Sequence, residues 1–262
     1  MKTLRLLSIL SVCAAFAATA QAGALEDIQK SGVLKVCMWP DYYGISYRDP
    51  KTGWLQGIDI QLSEELAKDL GAKLEYFETD FSKVVSDVAA GKCQIAMMGV
   101  GVLPSRAEQV DFSAPYLRSD VYAVTTRSNR NLSTWDDIDR PGRVIVVQKG
   151  TFMEPLMQKQ LSQATLEVSV KPGEREREVE SGRADAFMTD YPYSKRMEMN
   201  TDWARVIAPT KPVQLTDYAY AVPKSDPAWL ARVNEFVAAI KKDGRLVKAA
   251  TPHALLPIVV KD

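Results

Sequence analysis

The chain has 262 residues and a balanced charge, with 33 basic and 33 acidic side chains. A net charge near zero argues against nucleic acid or an anionic membrane surface as a partner. His253 is the only histidine, and no cysteines, histidines and carboxylates cluster at ligand spacing. The sequence therefore argues against a zinc site and a Ser-His-Asp triad, and we expect no metal ion or other cofactor.

The first 22 residues have the pattern of a cleavable signal peptide. Lys2 and Arg5 form a positive region, residues 6–18 are apolar and uncharged, and residues 20–22 supply the small side chains of a cleavage site. A membrane anchor is disfavoured because the apolar run is too short to cross about 30 Å of hydrocarbon. We expect an exported chain that begins near Gly23, does not insert into the membrane, and keeps 31 basic and 33 acidic side chains.

Two cysteines, Cys37 and Cys93, remain after removal of the signal peptide. An exported pair can form a disulfide. However, Cys37 falls late in one predicted strand and Cys93 at the start of another, so their Cα separation is expected to exceed the limit of about 7 Å. We therefore favour two buried thiols over a disulfide.

Strands and helices alternate along the chain, which indicates α/β architecture with largely parallel sheets. In the first half we predict strands over residues 33–38, 73–77 and 94–98. Helices are predicted over residues 59–70 and 81–90, each followed by a glycine. The third strand leads into a predicted turn at residues 99–101.

A second unit of the same kind follows. Residues 121–126 form an extended segment, a helix is predicted to begin near Ser133, and strands are predicted over residues 144–147, 166–170 and 184–188. Helices are predicted over residues 152–161 and 173–181, and an extended segment at 218–222 precedes a last helix at 229–242. We interpret the charged run at 174–178 as the solvated face of its helix and assign it no function.

Three segments give the sequence a specific resemblance. Residues 31–36 read SGVLKV, residues 57–60 read GIDI at a helix start, and residues 106–116 read RAEQVDFSAPY. The chain resembles the extracellular solute-binding proteins of family 3, which include binding proteins for polar amino acids and periplasmic cyclohexadienyl dehydratases. The resemblance runs from about residue 25 to residue 246. It implies a periplasmic binding protein type II fold, with two α/β lobes joined by two crossover strands.

The resemblance implies that Arg106 binds a ligand carboxylate. A planar guanidinium that is always charged can donate two parallel hydrogen bonds to a carboxylate. The alternative is a surface arginine that pairs with Glu108 or Asp111.

Backbone N–H groups are expected to help hold the same carboxylate. The family pattern places one at Gly101, after the third strand, and another at the Gly150-Thr151 step that opens a helix. Helix N-termini favour anions through unsatisfied N–H groups and the helix dipole. The hydroxyl of Thr151 is expected to contact the ligand, to cap the helix, or both.

The resemblance assigns the acceptor for a ligand α-ammonium to Asp190, whereas Asp185 is expected to be structural. Most amino-acid binders place Ser or Thr at the position of Gly101, where a hydroxyl helps to accept the ammonium. Its absence leaves Asp190 and carbonyls such as that of Gly99 as acceptors. Both an unusual amino acid and a carboxylate without an α-amino group therefore stay open as ligands.

Four aromatic residues, Trp39, Tyr42, Phe81 and Tyr191, are assigned to the pocket for the rest of the ligand. The first three match family positions, and Tyr191 follows Asp190. Aromatic side chains can stack on a planar group or surround a cation. Each alone fits a core position equally well, but their convergence on one cleft favours a pocket.

Catalysis is the main alternative to binding. The dehydratase relatives use a glutamate as general acid shortly after the Thr-Asp step that corresponds to Thr189-Asp190. Tyr193 stands at that position here and is a far weaker acid at neutral pH. We therefore do not expect an enzyme. Two alternatives stay open: a dehydratase acting on prephenate or arogenate, and a ligand-gated sensor or accessory protein.

We predict a periplasmic solute-binding protein that captures an amino acid or similar small carboxylate by hinge closure. The first lobe is expected to comprise residues 23–122 and 221–262, and the second lobe residues 123–220. The expected partner is the permease of an ABC importer, and the protein is expected to be a monomer.

Overall fold

A computed structural model describes residues 23–261, so the predicted signal peptide lies outside the described residues. The chain forms two main β-sheets with helices packed against them, and a small third sheet. No helix within residues 23–261 is long and apolar enough to span a bilayer.

The first sheet has six strands. They are β1 (Val33–Met38), β5 (Lys73–Glu78), β6 (Ile95–Gly101), β7 (Val110–Phe112), β8 (Leu117–Ser119) and β14 (Thr216–Pro223). The order is β5-β1-β6-β14-β7, and β8 also pairs with β14. β5, β1 and β6 are parallel, whereas β14 runs antiparallel to its neighbours. All seven residues of β6 are buried, as is typical of a strand covered on both faces.

The second sheet repeats this plan with five strands. They are β9 (Val121–Thr126), β10 (Val144–Gln148), β11 (Thr165–Ser169), β12 (Ala186–Asp190) and β13 (Ala204–Ile207), in the order β11-β10-β12-β9-β13. The first three strands of this order are parallel, and β9 is antiparallel to both of its neighbours. The two halves therefore have corresponding parallel cores. The third sheet is a small antiparallel one of β2 (Asp41–Tyr42), β3 (Ser46–Arg48) and β4 (Leu55–Gln56).

Nine α-helices lie within residues 23–261. They are α1 (Ala24–Ser31), α2 (Ile58–Leu70), α3 (Val84–Ala89), α4 (Pro104–Ala107), α5 (Met153–Gln160), α6 (Glu174–Glu180), α7 (Tyr191–Asn200), α8 (Pro227–Asp243) and α9 (Arg245–Ala250). Short 3-10 helices occupy Trp135–Asp137, Thr251–His253 and Leu256–Ile258. We call the elements around the first sheet the first lobe and those around the second sheet the second lobe.

The chain passes between the two sheets twice, at neighbouring places. It leaves the first sheet at Asp120, between β8 and β9, and returns through residues 208–215, between β13 and β14. The Asp120 carboxylate accepts the backbone N–H groups of Val121, Val213 and Gln214, so one side chain ties the two crossings together. The two extended segments predicted from the sequence, residues 121–126 and 218–222, lie within the sheets as β9 and part of β14. The predicted lobe boundaries at 122/123 and 220/221 stay a prediction.

Two local predictions were wrong. Residues 99–101 do not form a turn, because β6 continues to Gly101 with only Gly99 in the left-handed region, at φ +63°. The helix predicted near Ser133 is the 3-10 turn Trp135–Asp137, which is held by a capping box between Thr134 and Asp137.

The preference for two free thiols was also wrong, because Cys37 and Cys93 form a disulfide with their Cα atoms 5.6 Å apart. The two strands do not pair along their full lengths. Cys37, late in β1, pairs with Ala96, the second residue of β6, and Cys93 lies in the bend just before that strand. This stagger brings the two cysteines together.

Candidate functional site

A cavity lies between the two lobes, where the carboxyl ends of β1, β6, β10 and β12 meet. The space between its lining atoms, including space open to solvent, is about 390 Å³. The crevice at the carboxyl ends of parallel strands is the usual ligand site of open α/β sheets. The lining residues are Trp39, Tyr42, Phe81, Gly99, Gly101, Arg106, Gln148, Thr151, Phe152, Met153, Arg175, Thr189, Asp190, Tyr193 and Tyr218.

Arg106 is the cationic group of the first lobe in this cavity. Only 7% of its surface is exposed, and its guanidinium donates to the carbonyls of Gly101 at 2.8 Å and Gly150 at 2.7 Å. It forms no ion pair within residues 23–261, and Asp111 pairs with Lys224 instead. Burial lowers the pKa of Arg106 to about 10, so the side chain stays charged at neutral pH. The cavity thus holds a buried positive charge that no carboxylate of residues 23–261 pairs with directly.

The glycines and the threonine assigned to carboxylate binding lie beside Arg106. Gly101 ends β6, and the carbonyl of Gly150 accepts from Arg106 across the gap between the lobes. The N–H of Gly150 donates to Glu154 Oε2 at 2.7 Å. The hydroxyl of Thr151 donates to the Gln148 carbonyl, and α5 begins at Met153 with Phe152 as its N-cap. Thr151 therefore does not cap the helix.

Asp190 is the buried carboxylate of the second lobe and is 3% exposed. Its Oδ2 accepts the hydroxyls of Tyr42 and Tyr218, and its Oδ1 accepts the backbone N–H of Tyr193 as the N-cap of α7. Desolvation raises the pKa of Asp190, and the three hydrogen bonds act against this shift. Asp185, in contrast, lies outside the cavity and pairs with Arg143 at 2.8 Å.

Aromatic rings form the walls of the cavity. Trp39, Tyr42 and Phe81 contact one another, with ring centroids 5.5 to 6.0 Å apart. Phe152 contacts Tyr218 from the other side. The structure does not bring Tyr191 to the cavity, because its ring packs against Tyr122.

Asp59 supports the cavity floor from the core of the first lobe. It is fully buried, and its Oδ2 accepts the N–H of Gly99 at 2.8 Å and the hydroxyl of Tyr116 at 2.6 Å. Burial raises the pKa of Asp59 to about 7, against these hydrogen bonds. The Gly-x-Asp step at the start of α2 therefore holds the backbone of β6 at Gly99, its left-handed residue.

Arg175 is a cavity residue that the sequence analysis dismissed. The charged run is not uniformly solvated, because Arg175 is 4% exposed and its guanidinium lies 4.2 Å from the ring centroid of Tyr193. Its Nε pairs with Glu176 at 2.9 Å. An alternating charge run gives no sign that one member faces inward.

Tyr193 and Tyr218 also line the cavity and were not predicted as ligand-binding residues. Tyr218 lies in a predicted extended segment with five consecutive aromatic or small apolar residues, a pattern that indicates burial but no particular cavity. Tyr193 lies in α7, a helix that the sequence analysis did not predict.

The sequence of this two-lobed chain matches one family model over residues 34–253, that of the bacterial extracellular solute-binding proteins, family 3. The chain belongs to this family. Its members are exported proteins, and its fold is the type II periplasmic binding protein fold, as in solved relatives.

Individual relatives include both binding proteins and an enzyme. Cyclohexadienyl dehydratase of Pseudomonas aeruginosa is 30% identical over 241 residues, which cover 92% of this chain and 89% of that protein. An ancestral amino acid-binding protein, a precursor of cyclohexadienyl dehydratase, is 31% identical with a TM-score of 0.80, covering 87% of this chain and 98% of that one. An amino acid ABC transporter substrate-binding protein of Streptococcus pneumoniae, bound to L-arginine, is 27% identical with a TM-score of 0.79, covering 87% and 97%.

Proposed function

We propose that this family 3 protein captures a small carboxylate-bearing molecule, an amino acid or a close analogue, in the cavity between its lobes. Arg106 binds the carboxylate, assisted by the backbone N–H of Gly101 and by the N–H groups of the Gly150-Thr151 step, which leave Glu154 and the Gln148 carbonyl when the ligand binds. Trp39, Tyr42 and Phe81 enclose the rest of the ligand. The protein acts in the periplasm as a monomer and delivers its ligand to the permease of an ABC importer.

The observation that carries this proposal is the buried guanidinium of Arg106. A buried charge without a counter-ion is costly, and a ligand carboxylate would remove this cost with two charge-assisted hydrogen bonds. The amino-acid-binding relatives support the ligand class.

Capture proceeds by closure of the lobes. Arg106 already donates to a carbonyl of each lobe, and Asp190 accepts from Tyr42 and Tyr218 of the other lobe. These contacts can form only when the lobes are close together. A ligand that binds the closed arrangement better than the open one shifts the population toward closure.

The proposal is tested by a thermal-shift panel of amino acids and small carboxylates. The mature protein is unfolded and refolded with its disulfide intact to remove co-purified ligand, and a bound compound raises the melting temperature. We expect Arg106→Gln to fold normally and to lose the shift.

The matched control is Arg205→Gln. Arg205 also donates to two backbone carbonyls, those of Asn129 and Leu132, but lies outside the cavity. We expect this variant to keep the shift. An undiminished ligand response in Arg106→Gln would remove Arg106 from the site.

Dehydratase activity is a second candidate, favoured by the similarity to the Pseudomonas aeruginosa enzyme. The position of the expected general acid holds Tyr193, and burial raises the pKa of its hydroxyl above the usual range. Such a group is a poor proton donor at neutral pH. Incubation with prephenate, with phenylpyruvate followed by absorbance, distinguishes the two functions, because clear turnover would favour the enzyme.

A further inference from the structure

The hydrogen-bonding capacity of Asp190 is largely used by the protein itself. Each carboxylate oxygen has two acceptor sites. Both sites of Oδ2 are taken by the hydroxyls of Tyr42 and Tyr218, and one site of Oδ1 is taken by the backbone N–H of Tyr193, 3.2 Å away. The two hydroxyls belong to cavity-lining residues, as does Asp190 itself.

The hydroxyls of Tyr42 and Tyr218 act as hydrogen-bond donors to Asp190. Burial and the nearby charge of Asp190 hold the pKa of each hydroxyl well above 10, so both stay protonated at neutral pH. Their rings also have little room to move. A Cβ atom placed on Gly99 would lie 3.0 Å from Tyr42 and 3.5 Å from Tyr218, so both rings pack directly on the backbone of Gly99.

The acceptors near Arg106 are also partly occupied. The carbonyls of Gly101 and Gly150 both accept from its guanidinium, and Gly101 has no hydroxyl to offer. Thr151 donates its hydroxyl hydrogen to the Gln148 carbonyl, which leaves the lone pairs of its oxygen as acceptors. At Asp190, a ligand ammonium would find only one open acceptor site, on Oδ1, and would have to displace a tyrosine hydroxyl to gain a second.

We propose that the hydroxyls of Tyr42 and Tyr218 take the place of a ligand ammonium at Asp190, and that the ligand is a carboxylate without an α-amino group. This inference rests on the proposed function of the cavity. Arg106 holds the carboxylate, and an apolar or aromatic group lies against Trp39, Phe81 and Phe152. Asp190 then acts as a contact between the lobes and not as a ligand acceptor.

The test compares pairs of probes that differ only in the amino group. L-Phenylalanine is paired with 3-phenylpropionate, and L-leucine with 4-methylpentanoate, and their affinities are measured by titration calorimetry on refolded protein. We expect the deaminated member of at least one pair to bind at least about tenfold more tightly, which corresponds to about 1.4 kcal/mol.

A variant tests the stated cause. Tyr42→Phe keeps the ring and frees one acceptor site on Asp190, so the preference should shift toward the amino-acid member. Tyr76→Phe is the matched control, since it removes a hydroxyl that bonds to Ser63 outside the cavity. It should leave the preference unchanged.

The outcomes separate the inference from the function on which it rests. Tighter binding of the amino acids, lost in Arg106→Gln, would overturn the inference and support the proposed function. An unchanged preference in Tyr42→Phe would overturn the role given to the tyrosines. Binding of neither member of either pair would count against both proposals.

Discussion

Asp59 is a buried carboxyl group whose ionisation is coupled to folding. Its pKa is about 7 in the folded protein, against an ordinary value of 3.8. The folded state therefore binds this proton more tightly than the unfolded state does. Asp59 therefore contributes to the free energy of unfolding fully below about pH 4, and this contribution is lost as the pH rises through about 7. Its order of magnitude is about 4 kcal/mol.

We expect Asp59→Asn to remove this dependence on pH. The amide oxygen can accept from Gly99 and Tyr116, while the amide nitrogen faces the hydroxyl of Tyr220. The measurement is urea unfolding of both proteins at pH 5 and pH 8. The wild type should lose stability relative to the variant as the pH rises. The same change in the free energy of unfolding for both proteins would contradict the raised pKa of Asp59.

Asp139→Asn is a control for which the opposite dependence of stability on pH is expected. The exposed carboxylate of Asp139 accepts the N–H groups of Ser162, Gln163 and Ala164, which lower its pKa. Its contribution is present at neutral pH and lost in acid, so Asp139→Asn should be most destabilising above pH 5.

The sequence identified candidate site residues whose side-chain chemistry is specific. It did not identify residues whose role depends on which neighbours the fold brings to them. Arg106 and Asp190 were selected by type and position in the family pattern, and the structure places both in one cavity. Their binding roles stay a prediction. Tyr42 and Tyr218 both donate to Asp190 although they lie far from it in the sequence. No local sequence pattern predicts such a contact.

At the scale of elements, the disulfide joins the end of β1 to the bend before β6 and closes a segment of 56 residues. Such a link restricts the unfolded chain, with an expected contribution of about 4 kcal/mol. We expect the double variant Cys37→Ala, Cys93→Ala to unfold at lower urea concentration.

The same experiment with a reductant provides the control. Dithiothreitol should lower the unfolding midpoint of the wild type toward that of the double variant, and should not change the variant itself. A reductant-insensitive wild type that still unfolds at the original midpoint, despite confirmed reduction, would contradict the stabilising role.

The regular elements could be predicted well because their periodicity is local. The strands of both parallel cores and the helix at 58–70 lie within a few residues of their predicted positions. The helix α7 was missed because its sequence, YPYSKRMEMN, is polar with few apolar positions. The stagger of β1 against β6 was also missed, since pairing register depends on residues far apart in sequence.

At the scale of the whole molecule, Gly150 offers a test of closure. It lies at φ +77°, and a Cβ atom there would lie 2.6 Å from the backbone nitrogen of Ser82 and 2.7 Å from the carbonyl carbon of Phe81, in the other lobe. Gly150→Ala should therefore fold but resist closure. We expect ligand affinity to fall at least about tenfold, and X-ray scattering to show no ligand-induced decrease in radius of gyration.

Gly182→Ala is the matched control, because Gly182 has the same φ of +77° in the second lobe but nothing within 4 Å of an added Cβ. It carries the same backbone strain without an obstacle between the lobes. Equal loss of affinity in the two variants would assign the effect to strain and count against closure.

Trp39 lies where its intrinsic fluorescence can report ligand binding. Its indole is 8% exposed and forms part of the cavity wall, against Phe81 and Tyr42, whereas Trp54 is 77% exposed. Ligand entry changes the polarity around the indole of Trp39, so intrinsic fluorescence should change on binding in the wild type and in Trp54→Phe, but not in Trp39→Phe. Rapid mixing would then follow the speed of capture without any attached dye.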